Sequence, residues 1–500
     1  MFRKVLVANR GEIAVRVIRA LHELGIESVA VFSDADREAL HVRMADEAVR
    51  IGSPPSSESY LRIDRILDAA RARGAEAIHP GYGFLSENAE FAGACEQAGI
   101  AFVGPSAAAI RALGSKTTAR RVALAAGVEV VPGTERPLTG VEEAREVAAG
   151  FGYPVFLKAA EGGGGKGLRR VDSEGGLAAA WRDAVSESER SFRSAEVYIE
   201  RLIDRPRHIE IQVLADRFGN AVHLGERECS IQRRHQKVIE ECPSPLVATR
   251  PGMREAMGEA ALKVVRAAAY TNAGTVEFLV DREGRFYFLE MNTRLQVEHP
   301  ITELVTGLDL VHWQLRVAAG ESLGIRQQDV RWSGHAIECR VYAEDPYNNF
   351  YPSPGRITQL GRPAGPGVRI DSGAYLGWTV PLEYDPLVAK LAVWAGSRGE
   401  AIRRMLRALD EYTLDGIKTT LGFYRQVFAS EAYQNAELHT GFIEEFFECN
   451  GAPHSAADPD AEFAAALVAA VHPLTHAAAS LPTGPAPSRW RTAGREELLR

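Results

Sequence analysis

The opening segment constrains the fold more than any other stretch. Residues 4–8 (KVLVA) form an apolar run of strand length. After Asn9-Arg10-Gly11, apolar residues recur at Ile13, Val17, Leu21 and Leu24, the spacing of one helix face, and Gly25 stands where a helix would end. A second apolar run, 28–32, follows at once. Strand, turn, helix and strand within about 30 residues make a βαβ unit. The pattern returns at 77–78 before His79-Pro80-Gly81 and at 100–103 before Gly104-Pro105. Residues 1–113 therefore predict a doubly wound α/β domain.

Downstream, Leu113-Gly114-Ser115-Lys116 opens a helix that ends near Gly127. Residues 130–205 read as a small mixed lobe, with a strand at 153–159 followed by a run of glycines. Strands dominate from 207 to 334 with one helix at 252–270, and antiparallel-looking segments rich in Gly and Pro lie beyond His335. One last amphipathic helix is expected at 398–412. Residues 451–489 turn rich in Ala, Pro and Ser and read as a tail or linker with one Ala-rich helix at 461–471. No internal repeat is visible.

Composition narrows the class. Of 500 residues 46% are hydrophobic, which suits globular domains with cores of their own. The formal net charge of −8 argues against a nucleic-acid partner. No run approaches the roughly 20 apolar residues of a membrane span. Cys95, Cys229, Cys242, Cys339 and Cys449 show neither CxxC nor metal spacing, the pattern of reduced thiols. With no signal-peptide core at the start, the expected location is the cytoplasm, or an organelle matrix after removal of a presequence.

Four segments carry chemistry. In Lys158-Ala159-Ala160-Glu161-Gly162-Gly163-Gly164-Gly165-Lys166-Gly167, consecutive glycines suit amides that approach a phosphate, although a surface turn would read the same. The run is not a P-loop, because Ala160 and Gly167 break that template. Residues 275–280 and 285–290 read as a hairpin around Asp281-Arg282-Glu283-Gly284. Pairing Val280 with Arg285 would set Glu277 opposite Phe288, with Glu290 a diagonal neighbour about 7 Å away on the same face and Asn292 beyond it. Two acids so spaced suit hard cations that bridge phosphates.

The segment Glu290-Met291-Asn292-Thr293-Arg294-Leu295-Gln296-Val297-Glu298-His299-Pro300 then offers a guanidinium fork, a neutral donor and a base, the parts of an oxyanion site. Glu226 to Lys237 (ERECSIQRRHQK) clusters cations in an acidic chain without interleaved aromatics, which favours phosphate or bicarbonate over a stacked nucleic acid. The fourth, His79 to Asn88 (HPGYGFLSEN), lies at a strand C-terminus, where such sheets bind ligands, and alone reads equally as a Gly-Pro turn.

In order and spacing these segments, with VANRGEIA, PRHIEIQVL, GHAIECRVYAEDP and YPSPGRI, resemble the biotin carboxylase family from residue 2 to 448. The resemblance implies an ATP-grasp fold. Residues 1–113 would be the N-terminal domain, 114–334 the ATP-grasp domain with a mobile lid at 131–204, 335–448 a mixed, antiparallel C-terminal domain, and 449–500 a tail. It implies ATP contacts at Lys116, Lys158, Gly163, Gly164, Gly165, Lys166, Glu200, Ile203, His208, Gln232, His235 and Leu279. The Mg²⁺ ligands would be Glu277, Glu290 and Asn292, with Mn²⁺ able to stand in. Lys237, Arg294, Gln296 and the Val297 backbone would hold bicarbonate, and Glu298 would be its base. Arg340 would stabilise the biotin enolate, and Tyr82 and Gly83 would form part of the biotin wall.

Implied partners are a biotin carboxyl carrier protein or domain, a carboxyltransferase subunit, plus a second copy of the chain or a larger complex, with no nucleic acid and no membrane. The implied reaction is the ATP-dependent first half-reaction of an acyl-CoA carboxylase of acetyl- or propionyl-CoA type, as in fatty acid biosynthesis. The alternatives are a methylcrotonyl-CoA, pyruvate or urea carboxylase. Glu161 departs from the family by placing a charge beside the glycines, and Tyr384-Asp385-Pro386-Leu387 is closer to the large carboxylase subunits. No Met-Lys-Met biotin-acceptor motif occurs, so the chain is expected to be a stand-alone subunit or a piece of a longer one. Other acyl-phosphate-forming ATP-grasp ligases, or a silent scaffold of the same fold, would lack the set Arg294, Gln296, Glu298 and Arg340.

Overall fold

The computed structural model describes residues 1–134, 136–159, 168–192 and 196–450. A five-stranded sheet opens the chain in the order Glu47–Gly52, Glu27–Ser33, Lys4–Val7, Ala77–His79, Ala101–Phe102, and all neighbours are parallel. This is the doubly wound sheet expected from the sequence. The half-buried edge strand Glu47–Gly52 was not anticipated, because its EAVRIG sequence lacks an apolar run. The helix Gly11–Glu23 buries Ile13, Val17, Ile18 and Leu21. The winding direction reverses around Lys4–Val7, so the loops leaving Val7 and His79 meet at one switch point. Asn9 fastens them, its Nδ2 donating to the carbonyls of Pro80 (2.7 Å) and Tyr82 (2.8 Å). Gly81 must be glycine here: its φ is +63° and a Cβ would lie 2.9 Å from Asn9 Nδ2.

The second sheet has eight strands, antiparallel throughout. Its order is Phe286–Asn292, Asn272–Val280, Arg207–Ala215, Ala221–Arg233, Gln236–Cys242, His335–Tyr342, Leu387–Ala395, Val368–Ser372. A smaller three-stranded sheet, Leu168–Val171, Val155–Ala159, Val197–Arg201, carries the helices Val141–Phe151 and Glu174–Phe192.

Helices are more numerous than the sequence reading allowed. Between 207 and 334 the expected helix is present as Met253–Ala267, but His299–Thr306 and Leu310–Ala318 accompany it. Arg398–Glu411 is not the last: Leu421–Ala429, Glu431–Gln434 and Phe442–Asn450 follow, burying Phe423, Tyr424, Phe428 and Phe446 in the core of that region. Their aromatic-rich sequences hide the helical period. The glycines 162–165, Glu161, Lys166 and the tail 451–500 lie outside the described residues. No helix of the described residues is long and apolar enough to cross a membrane.

Candidate active site

The site is laid out along the eight-stranded sheet. The hairpin register corrects the expected one. Val280 pairs with Phe286, and Phe278 with Phe288. A bulge between Glu277 and Phe278 then sets Glu277 directly opposite Glu290, not opposite Phe288. The turn is one residue longer than expected, because the Asp281 carboxylate accepts from the Arg285 amide (2.8 Å) and Gly284 takes a φ of +88°. Glu277 also pairs with Glu210, and Glu210 with Arg227. Directly opposed residues share a face, so Glu290, Glu277, Glu210 and Arg227 form one row across four strands.

Glu277 and Glu210 are buried and Glu290 is half-buried, and three acids in such a row repel one another unless cations sit near them. Lys237 supplies one: its Nζ donates to Glu210, to Glu277 Oε1 (2.7 Å) and to Glu298 Oε1 (2.8 Å). Arg227, with no exposed surface, supplies the other. It donates to Glu210 Oε1 (2.5 Å), Gln212 Oε1 (2.7 Å), Thr302 Oγ1 (2.9 Å) and Thr275 Oγ1 (3.1 Å). Lys237 is correspondingly pushed well above its ordinary pKa: burial alone would lower it, and the three carboxylates outweigh burial.

Glu298 is fully buried where the loop meets the helix His299–Thr306. Its second oxygen accepts from Arg340 Nη2 (2.9 Å), and Arg340 Nε donates to Glu240 Oε1 (2.7 Å). Burial raises the Glu298 carboxyl, but Lys237, Arg340 and Arg227 overcome this and hold it well below the usual carboxylate range. Glu298 is therefore held as an anion, one oxygen on Lys237 and the other on Arg340. Arg294 fans out beside it: Nε to Glu87 Oε2 (2.9 Å), Nη1 to Gln296 Oε1 (2.8 Å) and Nη2 to Asn292 Oδ1 (3.0 Å). Gln296 Nε2 and Asn292 Nδ2 both donate to Glu277 Oε1, at 3.2 and 2.8 Å. Cations, neutral donors and an ionised base thus converge on one small volume, the arrangement an oxyanion requires.

Glu277 and Glu290 fit a divalent cation. They stand directly opposite one another on neighbouring strands, and burial and the charge of Glu277 raise the Glu290 carboxyl. Nearby, His208 Nε2 lies 3.0 Å from Glu277 Oε2, while His208 Nδ1 is 2.8 Å from Gln232 Nε2. Lys116 lies 3.7 Å from Glu290. Lys116, Lys158, Tyr198, Glu200, Phe288 and Leu289 line one cavity, in which Lys158 Nζ donates to Glu200 Oε2 (2.5 Å). Ile203 and Leu279 pack in one apolar cluster with Val131 and Tyr287. His235 sits at the tip of a two-residue turn, Arg234-His235, where both residues have positive φ (49° and 64°). Such a turn ordinarily takes Asn-Gly, so Arg234 and His235 adopt a backbone that side chains rarely favour. Burial lowers the His235 pKa, Glu444 opposes this, and Lys116 and Lys158 reinforce it.

Tyr82 stands near the C-terminal sheet with its hydroxyl buried and unpartnered, and Gly83 follows with a φ of +71°. The Val297 carbonyl accepts from Lys390 Nζ (3.0 Å). The structure thus brings Lys237, Glu277, Glu290, Asn292, Arg294, Gln296, Glu298 and Arg340 together, with His208 and Gln232 at one edge. Sequence reasoning missed Glu87, Glu210, Arg227 and Lys390. Glu87 was legible, since it lies in HPGYGFLSEN and accepts from the Thr293 amide (2.9 Å) as well as from Arg294. Arg227 and Glu210 also lie in motif segments, ERECSIQRRHQK and PRHIEIQVL, but their pairing across strands, like that of Lys390, has no local signal. Tyr384, noted as a departure, is anchored away from the centre: its hydroxyl is 2.6 Å from Ser33 Oγ and Arg10 stacks over its ring.

Similarity to known proteins runs through most of the chain. Residues 1–110 match the family model described as biotin carboxylase, N-terminal domain; 115–326 the carbamoyl-phosphate synthase L chain, ATP binding domain; and 338–445 the biotin carboxylase C-terminal domain. The chain is 54% identical to a pyruvate carboxylase subunit of Methanothermobacter thermautotrophicus over 89% of its own length and 90% of that protein. It is 46% identical to the propionyl-CoA carboxylase alpha chain of Ruegeria pomeroyi, over 100% of this chain and 76% of that protein. Among solved structures, the biotin carboxylase domain dimer of Hydrogenobacter thermophilus 2-oxoglutarate carboxylase, crystallised with MgADP, ADP and bicarbonate, superposes with a TM-score of 0.86. Identity is 47%, and 89% of this chain and 98% of that one are covered. Three family models that together span most of residues 1–445, and relatives 46–54% identical, show the family: the chain belongs to the biotin carboxylase family.

Proposed function

We propose that this chain uses ATP and bicarbonate to carboxylate biotin held on a separate carrier protein or domain. The observation that carries the reading is Glu298, a fully buried carboxylate with one oxygen bonded to Lys237 and the other to Arg340. Bicarbonate enters among Lys237, Arg294, Gln296 and the Val297 backbone, and Glu298 takes its proton. A low carboxylate pKa makes Glu298 a weak base by itself. The same cations that depress it also stabilise the bicarbonate dianion, so the transfer needs little driving force from Glu298.

The dianion oxygen attacks the γ-phosphorus of ATP, ADP leaves, and carboxyphosphate forms. Lys116, Lys158, Glu200, His208, Gln232 and His235 hold the nucleotide, with Ile203 and Leu279 against the base. Glu277, Glu290 and Asn292 would hold Mg²⁺, which would supply positive charge toward the transferring phosphoryl group. Carboxyphosphate then breaks to CO₂ and phosphate. The phosphate takes the ureido N–H proton of biotin, Arg340 faces the resulting enolate oxygen, and the ureido nitrogen attacks CO₂. Tyr82 and Gly83 wall the biotin side; Gly163, Gly164, Gly165 and Lys166, which lie outside the described residues, are ATP contacts by family resemblance alone.

We assign 1–113, 114–334, 335–448 and 449–500 as N-terminal domain, ATP-grasp domain with its lid at 131–204, C-terminal domain and tail. The chain acts as a homodimer with a biotin carrier and a carboxyltransferase, in the cytoplasm. The final acceptor is an acyl-CoA of acetyl- or propionyl-CoA type. Pyruvate is the second reading, favoured by the relative named for that substrate. The test is ADP release from ATP with and without bicarbonate and free biotin. Release should require bicarbonate and rise with biotin; release indifferent to both overturns the reading.

A further inference from the structure

The buried ammonium of Lys390 belongs to neither the nucleotide set nor the base set, yet it touches the loop that carries both Gln296 and Glu298. Lys390 lies on the strand Leu387–Ala395 directly opposite Arg340 on one side and Asp371 on the other. Its side chain has no exposed surface. Setting one buried cation directly opposite another is unfavourable in a sheet unless anions separate their charges. The two are separated by dividing the anions: Arg340 takes Glu240 and Glu298, whereas Lys390 takes Glu12 Oε2 (3.2 Å) and Asp371 Oδ2 (3.8 Å).

With its charge so balanced, Lys390 Nζ donates to the Val297 carbonyl at 3.0 Å, and the Tyr82 ring lies 5.7 Å away. Burial pushes the Glu12 carboxyl up to about 7, and the nearby Lys390 pulls against that rise. The junction is close-packed: a Cβ on Gly373 would come within 3.0 Å of the Gly11 carbonyl carbon and 3.2 Å of the Glu12 amide.

The rest of the loop is clamped in parallel. The Gln296 carbonyl faces His299 Nδ1 at 2.9 Å. On the helix that follows Glu298, Glu303 accepts from Arg16 Nη2 (2.9 Å) and Arg369 Nη1 (2.7 Å). Arg369 in turn forms a fork to Asp371 (3.0 and 2.8 Å). The helix Gly11–Glu23 and the last strands of the eight-stranded sheet therefore grip the same short segment, and Lys390 reaches its backbone at Val297.

We propose that Lys390 is a positioning residue for the bicarbonate loop, fixing the Val297 peptide and so setting Glu298 and Gln296 against bicarbonate, with Glu12 as its anchor. The proposal rests on the biotin carboxylase reading. It names no contact between Lys390 and substrate; its action runs through Val297. Of the proposed nucleotide groups, Lys158 and Glu200 lie in the three-stranded sheet, His208 and Gln232 on Arg207–Ala215 and Ala221–Arg233, and His235 in the turn after Arg233; the strands Gln236–Cys242 and His335–Tyr342 stand between Ala221–Arg233 and Leu387–Ala395, so the effect is expected on bicarbonate more than on ATP.

Lys390→Met, Lys390→Arg and Glu12→Gln are compared with the full wild-type chain by steady-state kinetics, with melting temperature as the folding control. Loss of a charge-assisted hydrogen bond to the loop should raise KM for bicarbonate about tenfold or more in Lys390→Met, with KM for ATP within about twofold. Lys390→Arg, which keeps a charged donor, should recover part of the loss. Glu12→Gln should show a smaller rise with the same selectivity. A folded Lys390→Met with unchanged KM for bicarbonate, or with equal losses for bicarbonate and ATP, overturns the proposal. Should Lys390→Met fail to fold, the bicarbonate-to-ATP split in Glu12→Gln decides in the same way. Failure of the underlying reading is distinguishable, because the wild-type chain itself would then show no bicarbonate-dependent ADP release.

Discussion

Glu298 shows what a single residue owes to its surroundings. A lone carboxylate taken out of water would protonate, but Lys237 at 2.8 Å and Arg340 at 2.9 Å keep this one ionised. Glu298→Gln keeps the shape and removes the proton acceptor. Turnover should fall by about 100-fold or more while ATP affinity, measured by calorimetry, is unchanged; a variant that retains the wild-type rate would remove Glu298 as the base. Residue types were the most legible part of the site. Arg294, Gln296 and Glu298 stand within five positions, and no plain loop needs three such different polar groups. What their spacing could not convey is that Lys237, some sixty residues earlier in sequence, would close on Glu298, since pairing of that range is decided by the sheet.

At the scale of the element, the decisive structure is the row Glu290, Glu277, Glu210, Arg227. The hairpin was legible from two apolar runs around Asp281 to Gly284, but its register was not. A bulge at Glu277/Phe278 shifts the pairing, and a bulge is set by what the neighbouring strands pack against. Arg227 closes the row and ties it through Thr302 to the helix behind Glu298. Arg227→Met leaves Glu210 with one cation instead of two and should cost about 3–5 kcal/mol in urea unfolding of this sheet. Substitution of the exposed Arg326 should leave the midpoint where it was.

A second ion cluster gives a pH signature. Burial would raise Glu241, but His335 (2.9 Å) and Arg398 (2.8 Å) lower it to about 2. Its folded value lies below the unfolded one of about 4.3. Its contribution is therefore fully present above about pH 5 and is lost as pH falls toward about 2. The difference in melting temperature between the wild type and Glu241→Gln should be largest near neutral pH and shrink on acidification; a gap that stays constant with pH would contradict this.

Across the whole molecule, the chemistry is distributed over parts that the sequence joins only end to end. The doubly wound sheet was legible because each βαβ unit is local. The antiparallel sheet was legible in kind, but not in order, since His335–Tyr342 docks beside Gln236–Cys242 across about ninety intervening residues. Helices after Arg398 were hidden by their aromatic content, and the glycine run is not among the described residues. Asn9 and Lys390 show why distant segments must assemble before the site exists: one fastens the loop bearing Tyr82, the other the loop bearing Val297. The central claim is that bicarbonate, deprotonated by Glu298, attacks ATP. Its most direct test is turnover with oxygen-18-labelled bicarbonate and biotin, followed by mass analysis of the released phosphate. The account predicts phosphate carrying one oxygen derived from bicarbonate, in step with ADP formed. Phosphate whose new oxygen comes from water alone would contradict it.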